Sequence, residues 1–163
     1  MKNIIFFLVL VLAIFLQVSL FQKIGILGVI PNLPLVLVFL ISFFSKDYKK
    51  TILSAFFLGI LFDIFSGMPF GIFTIIFVLL ALVVSVLIST LVSHEKTSMF
   101  FVVVFLGTFL YYILAFVFIN IFHLLGLTDL SLALGSKLFE SAFFESLFNL
   151  ILAVLLFPTR RFI

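Results

Sequence analysis

Cysteine and tryptophan are absent from this chain, and charge is scarce. With no cysteine in 163 residues, a disulfide, a thiol nucleophile and a cysteine-ligated metal are all excluded. His94 and His123 are the only histidines, too far apart in sequence to suggest a metal centre. Charged residues make up 9% and apolar residues 66%, against roughly 25% and 45–50% in a soluble domain. No stretch is polar enough to form a separate soluble domain. A formal charge of +3 makes no case for nucleic acid. Reaction signatures are missing too: there is no Cys/His pair, no G-x-S-x-G, no H-E-x-x-H and no Walker loop. The reading is a non-enzymatic chain with no cofactor and no metal site.

What is present is hydrocarbon, with 27 phenylalanines and a mean hydropathy of +1.59. A spanning helix takes about 20 residues, and the apolar runs at 3–20, 31–44, 51–65, 72–92, 99–122 and 138–157 predict six. The expected fold is an all-α integral membrane protein, a six-helix transmembrane bundle in one polytopic domain.

Lys2 and the run behind it resemble a signal peptide. The run exceeds the usual ~7–15 residues and no small-x-small site precedes Gln22, which predicts an uncleaved first helix. Gln17 and Ser19 read as packing contacts or, better, as interfacial residues. Residues 24–30 predict an irregular entry, and Pro31-Asn32-Leu33-Pro34 a first helical turn, where proline's missing amide costs nothing. Asn32 reads as a helix-start residue that satisfies free backbone donors. Ser45 to Lys50 and Ser93 to Ser98 are polar turns. His123 to Lys137 reads as a leucine-rich connection, partly helical along the membrane surface, and Pro158 ends the last helix.

The stretch that breaks the pattern runs from Gly59 to Gly71. It holds Asp63, three glycines and Pro69. A charge at membrane depth is costly and needs a reason. A third helix over 51–65, with Asp63 near its end, rises only about 22 Å, short of the ~30 Å hydrocarbon core. Either it is simply short, or it ends inside the membrane and hands over to irregular backbone buried by protein. Ala55, Gly59, Asp63 and Gly67 recur at i+4 and share a face on which another helix can approach closely. Thr74, Ala81, Ser85 and Ser89 line one face of the fourth span; Gly107, Tyr111 and Ala115 line one of the fifth. In the last span Ser141, Glu145, Asn149 and Ala153 fall on one stripe. Glu145 and Asn149 read equally as an interhelical hydrogen bond or a functional pair.

With the N-terminus cytoplasmic and six crossings, Lys2, Lys46, Lys49, Lys50, Lys96, Arg160 and Arg161 lie inside, and Lys23 and Lys137 outside. That positive-inside bias predicts both termini in the cytosol.

Pro31-Asn32-Leu33, the basic turn after the second span, Gly59-x-x-x-Asp63-x-x-Ser66-Gly67-x-x-x-Gly71, Asn149 and the Pro158, Arg160-Arg161 terminus resemble the rod shape-determining protein MreD family of bacteria. The resemblance covers essentially the whole chain. Position 32, usually aspartate in that family, is asparagine here. The resemblance implies a non-enzymatic subunit of the cell-elongation machinery in the bacterial inner membrane. Its partners would be membrane lipid and the bitopic protein MreC. Through MreC it would act with the filament protein MreB and a RodA-type synthase with its class B penicillin-binding protein. The family's helix arrangement is similar to the substrate-binding subunits of energy-coupling-factor vitamin transporters. On this reading Asp63 and Gly67 to Gly71 form a turned corner at the outer leaflet. Asp63 takes hydrogen bonds from backbone amides or from the last helix through Asn149, and small-residue faces receive the partner's helix. Pro31, Asn32, Gly59, Ser66, Gly71 and Glu145 complete the structural and partner-binding set.

The alternative is a solute-binding subunit of a vitamin-type transporter, lined by Asn32, Asp63, Tyr111, Tyr112, Glu145 and Asn149 and powered by a separate ATPase. A third reading puts a lipid-linked precursor beside Asp63.

Overall fold

A computed structural model describes residues 2–19, 28–45, 47–91 and 97–162. Lys23, Gly25, Lys46 and the turn residues Ser93, His94, Glu95 and Lys96 lie outside the described residues, as does most of the entry at 24–30. Among the described residues there are six α-helices and no sheet: α1 (Lys2–Ser19), α2 (Leu33–Phe44), α3 (Tyr48–Ser66), α4 (Ile72–Leu91), α5 (Thr97–Leu124) and α6 (Ser136–Leu156). A short 3-10 helix, Phe157–Phe162, follows α6, where Pro158 lacks the amide that would continue the α-helix.

Ile72–Thr90, Thr97–Leu124 and Ser136–Arg160 are each long and apolar enough to cross a membrane, while Phe7–Ser19 and Leu33–Phe44 are shorter apolar stretches. Together with the composition, this makes the chain a membrane protein.

The centre of the bundle is α2. Every residue from Leu33 to Phe43 is buried, and the helix touches α1, α3, α4, α5, α6 and the 3-10 turn. A helix that is apolar all round has no face to give to solvent, so it ends in the middle. The others offer it one stripe each. On α1 the stripe is Leu10, Ala13, Ile14 and Gln17, the i, i+3, i+4, i+7 spacing of one helical face. On α5 it includes Val104, Gly107, Tyr111 and Ala115. A Cβ at Gly107 would lie 2.6 Å from the Phe39 ring, so α5 carries glycine where α2 carries phenylalanine. Leu106 and Ile113 of α5, and Ile151, Val154 and Leu155 of α6, face outward and are exposed.

The α2–α3 end is closed by aromatic rings. Phe43, Phe44, Phe100, Phe101 and Phe157 form a run of ring contacts. The Arg160 guanidinium sits 3.8 Å from the Phe157 ring centroid, a cation–π contact.

Several expectations are corrected. Helix α3 is not short and does not stop at Asp63. It starts at Tyr48, capped by Asp47 accepting from the Lys49 and Lys50 amides, and runs to Ser66, about 28 Å at 1.5 Å per residue. Helix α2 begins at Leu33, so Pro31 and Asn32 precede it and Asn32 is its N-cap. After Leu124 the chain does not form a helix again until Ser136. That connection is held instead by the Asn120 side chain, bonded to the Leu132 carbonyl and amide, and by His123 beside the Thr128 carbonyl.

Candidate functional site

At the opposite end from the ring cluster, two helices begin inside the bundle, where free amides would find no water. The first four amides of a helix have no partner within it. In lipid or a protein interior each must be satisfied. Both helices solve this with side chains borrowed from a neighbour.

For α4 the capping residue is Asp63. The turn cannot cap itself, because its last residue, Gly71, has no side chain and sits at φ 101°. The Asp63 carboxylate instead comes across from α3. Oδ1 accepts from the Phe73 amide at 2.9 Å, and Oδ2 from the Thr74 amide at 3.0 Å and the Thr74 hydroxyl at 2.5 Å. Ile72 and Ile75 amides go to the Pro69 and Gly71 carbonyls, so the first turn is fully accounted for. A carboxylate at the positive end of a helix also gains from the macrodipole. The approach is close because residue 59, one turn earlier, is glycine. A Cβ there would fall on the Thr74 backbone. Gly67, at φ 71°, ends α3 in the left-handed conformation that glycine adopts without strain. Ser66 ties the turn by donating to the Asp63 carbonyl and accepting from the Met68 amide.

For α2 the work is shared. Gln17 of α1 donates to the Pro31 carbonyl at 3.0 Å and accepts from the Leu33 amide at 2.8 Å. Asn149 of α6 accepts from the Asn32 amide at 2.8 Å and donates to the Thr108 hydroxyl at 3.2 Å. Asn32 itself accepts from the Leu35 amide, and Pro34 has no amide to satisfy. The Thr108 proton goes to the Val104 carbonyl, which fixes which end of the Asn149 amide is oxygen.

Because α2 has only 12 residues, about 18 Å of helix, its capped start is level with Thr108 of α5 and Asn149 of α6, well short of Leu124 and Ser136 where those helices end. The space above it is a chamber. One lobe, about 300 Å³, is lined by Gln17, Asn32, Phe62 and Ser66 among others; a second, about 340 Å³, reaches Ala115, Ile119 and Lys137. Met68, Phe73, Tyr111, Tyr112, Ser141 and Glu145 line both. Glu145 is 7% exposed. Its Oε2 accepts the Tyr112 hydroxyl at 2.6 Å, and Asn32 and Asn149 stand beside it, but Oε1 has no hydrogen-bond partner.

The structure thus joins Asn32 with Asn149, and brings Asn32, Tyr111, Tyr112, Ser66 and Glu145 to one chamber. It does not bring Asp63 there: both carboxylate oxygens are spent on α4, and no bond runs from Asp63 to Asn149. Nor is the small-residue face of α3 open to a partner's helix. Ala55, Gly59 and Asp63 are buried, Gly59 against α4, and Gly67 lies past the helix end and is exposed. Gln17 is the residue misjudged from the sequence. It is buried, not interfacial, and the signal was its place on the Leu10, Ala13, Ile14 stripe. Among the described residues no cluster of three His, Cys, Asp or Glu side chains could hold a metal ion.

Comparison with family models, with curated proteins and with solved structures gives no match for this chain.

Proposed function

We propose that this chain is a non-enzymatic inner-membrane subunit of the MreD type. It binds MreC and, through it, supports the elongation synthase and rod shape. It crosses the membrane six times with both termini in the cytosol, and its arrangement is of the transporter substrate-binding-subunit kind. The observation that supports this reading is that the residues of the resemblance are not scattered. Pro31, Asn32 and Asn149 belong to one capping system, and Gly59, Asp63, Ser66, Gly67 and Gly71 to another, at the same end of the bundle. A motif used up by the fold suits a scaffold better than a catalyst. The partner's helix packs on an outward apolar face, since the inner small-residue face is filled by α4.

The test is co-expression with MreC from the same genome and affinity capture through a tag on this chain. MreC retained at a fixed ratio through detergent purification is the expected result. A monodisperse chain that leaves MreC behind overturns the proposal.

The chamber favours a second reading, a solute-binding membrane subunit. Solute uptake that depends on this chain and an ATPase partner, with no effect on cell shape on deletion, would select it.

A further inference from the structure

The chemistry of the chamber is narrower than its size. Its deepest acid, Glu145, has one oxygen on the Tyr112 hydroxyl and the other, Oε1, without a hydrogen-bond partner. No lysine, arginine or histidine among the described residues is bonded to it. Lys137, the basic residue of the lining, stands eight positions earlier on α6, about 12 Å along the axis, at the mouth. An ionisable group inside a membrane bundle ordinarily has a partner, and a carboxylate withdrawn from water without one is strongly unfavourable. Around it the walls are aromatic. The Tyr111 and Phe73 rings lie at 6.3 Å between centroids and 21° between planes, and the Phe62 and Phe73 rings meet at 4.9 Å. Ring faces attract cations and repel anions. The floor adds Asn32, an uncharged amide.

We propose that this chamber binds a primary ammonium group, with its N–H donors on Glu145 Oε1 and its carbon skeleton against Tyr111 and Phe73. The ammonium belongs to a small free amine or to the head group of an aminophospholipid; both present the same chemistry. An anionic ligand does not fit, because the buried acid Glu145 lines the interior and the basic residue Lys137 stands at the mouth. This site does not depend on the assembly role proposed above: MreC capture tests that role and leaves the chamber untouched.

The chain has no tryptophan and three tyrosines, two of them in the chamber, so tyrosine emission reports on it directly. The purified full-length protein in phosphatidylglycerol nanodiscs is titrated with two matched pairs: ethanolamine against ethylene glycol, and 2-phenylethylamine against 2-phenylethanol. The amines are expected to change tyrosine emission and raise the unfolding midpoint by about 3 °C at saturation. The alcohols are expected to do neither. Glu145→Gln, which keeps shape and the Tyr112 contact, should weaken amine binding about tenfold or more. Nanodiscs containing phosphatidylethanolamine separate the sources. A midpoint already raised there, with little further response to free amine, assigns the lipid head group; an unchanged midpoint with full amine response assigns a free solute. The proposal is overturned if neither amines nor phosphatidylethanolamine have any effect, or if the alcohols act as well as the amines. It is also overturned if Glu145→Gln binds amine as the parent does. Should that variant fail to fold, the matched pairs on the parent protein still decide.

Discussion

Asp63 illustrates how a single residue carries weight out of proportion to its size. Its carboxylate serves three donors at the start of α4. Asp63→Ala leaves two buried amides without partners and should cost about 2–4 kcal/mol, from about 1 kcal/mol for a lost cap plus the penalty for unsatisfied buried groups. Asp63→Asn keeps one acceptor oxygen and should cost less. Thermal unfolding of the two variants in one detergent checks the order, and an Ala variant as stable as the parent would remove the capping account. Gly59 makes a prediction of opposite sign to the usual rule. In a helix interior, glycine to alanine ordinarily gains about 1 kcal/mol. Here the added methyl would fall on the Thr74 backbone, so Gly59→Ala should lower the unfolding midpoint. Gly107→Ala meets the end of the Phe39 ring rather than backbone, and should cost less than Gly59→Ala in the same assay.

At the scale of elements, the start of α2 is gripped from two sides. Gln17 holds residues 31 and 33 from α1, and Asn149 holds residue 32 from α6. Either grip alone positions a three-residue segment that the other then meets without further ordering. The two should therefore be coupled. Gln17→Ala and Asn149→Ala are expected to be less than additive when combined, with an interaction of about 0.5–1 kcal/mol or more in a double-mutant cycle. Strict additivity would mean that the segment is held by its own turn chemistry. The shortness of α2 has a second consequence. Had it extended to the height of its neighbours, it would have filled the chamber; its capped start is what leaves room between α1, the α3–α4 corner, α5 and α6.

For the whole molecule, the arrangement separates two ends. The ring cluster and Arg160 lie at one, and the two capped corners, the chamber and the 125–135 connection lie at the other. The cysteine-free sequence makes the proposed orientation directly testable. Single cysteines at Leu127 and Thr159 should react with a membrane-impermeant maleimide from opposite sides: Leu127→Cys in intact spheroplasts, Thr159→Cys only after permeabilisation. Labelling of both from the same side would refute an odd number of crossings between those positions and the proposed topology with it.

Composition alone was enough for the membrane class and for an all-helical fold, because a chain this apolar has to satisfy its backbone internally. The apolar runs located six helices to within a few residues, and Asn32 was readable as a cap because Pro31 and Pro34 flank it. The unusual cost of an acid within hydrocarbon marked Asp63 and Glu145 as residues needing an explanation. Which explanation applied was not readable. Asp63 lies 10 and 11 residues from the amides it caps and Asn149 lies 117 from Asn32, and a one-dimensional pattern carries no distance between helices. Periodicity ranks faces within a helix but does not say which helix meets which. For that reason the central place of α2, the filling of the α3 face by α4, and the gathering of Asn32, Tyr111, Tyr112 and Glu145 around one chamber emerged from packing: they depend on how six cylinders of unequal length sit side by side, and a short one in the middle leaves a space.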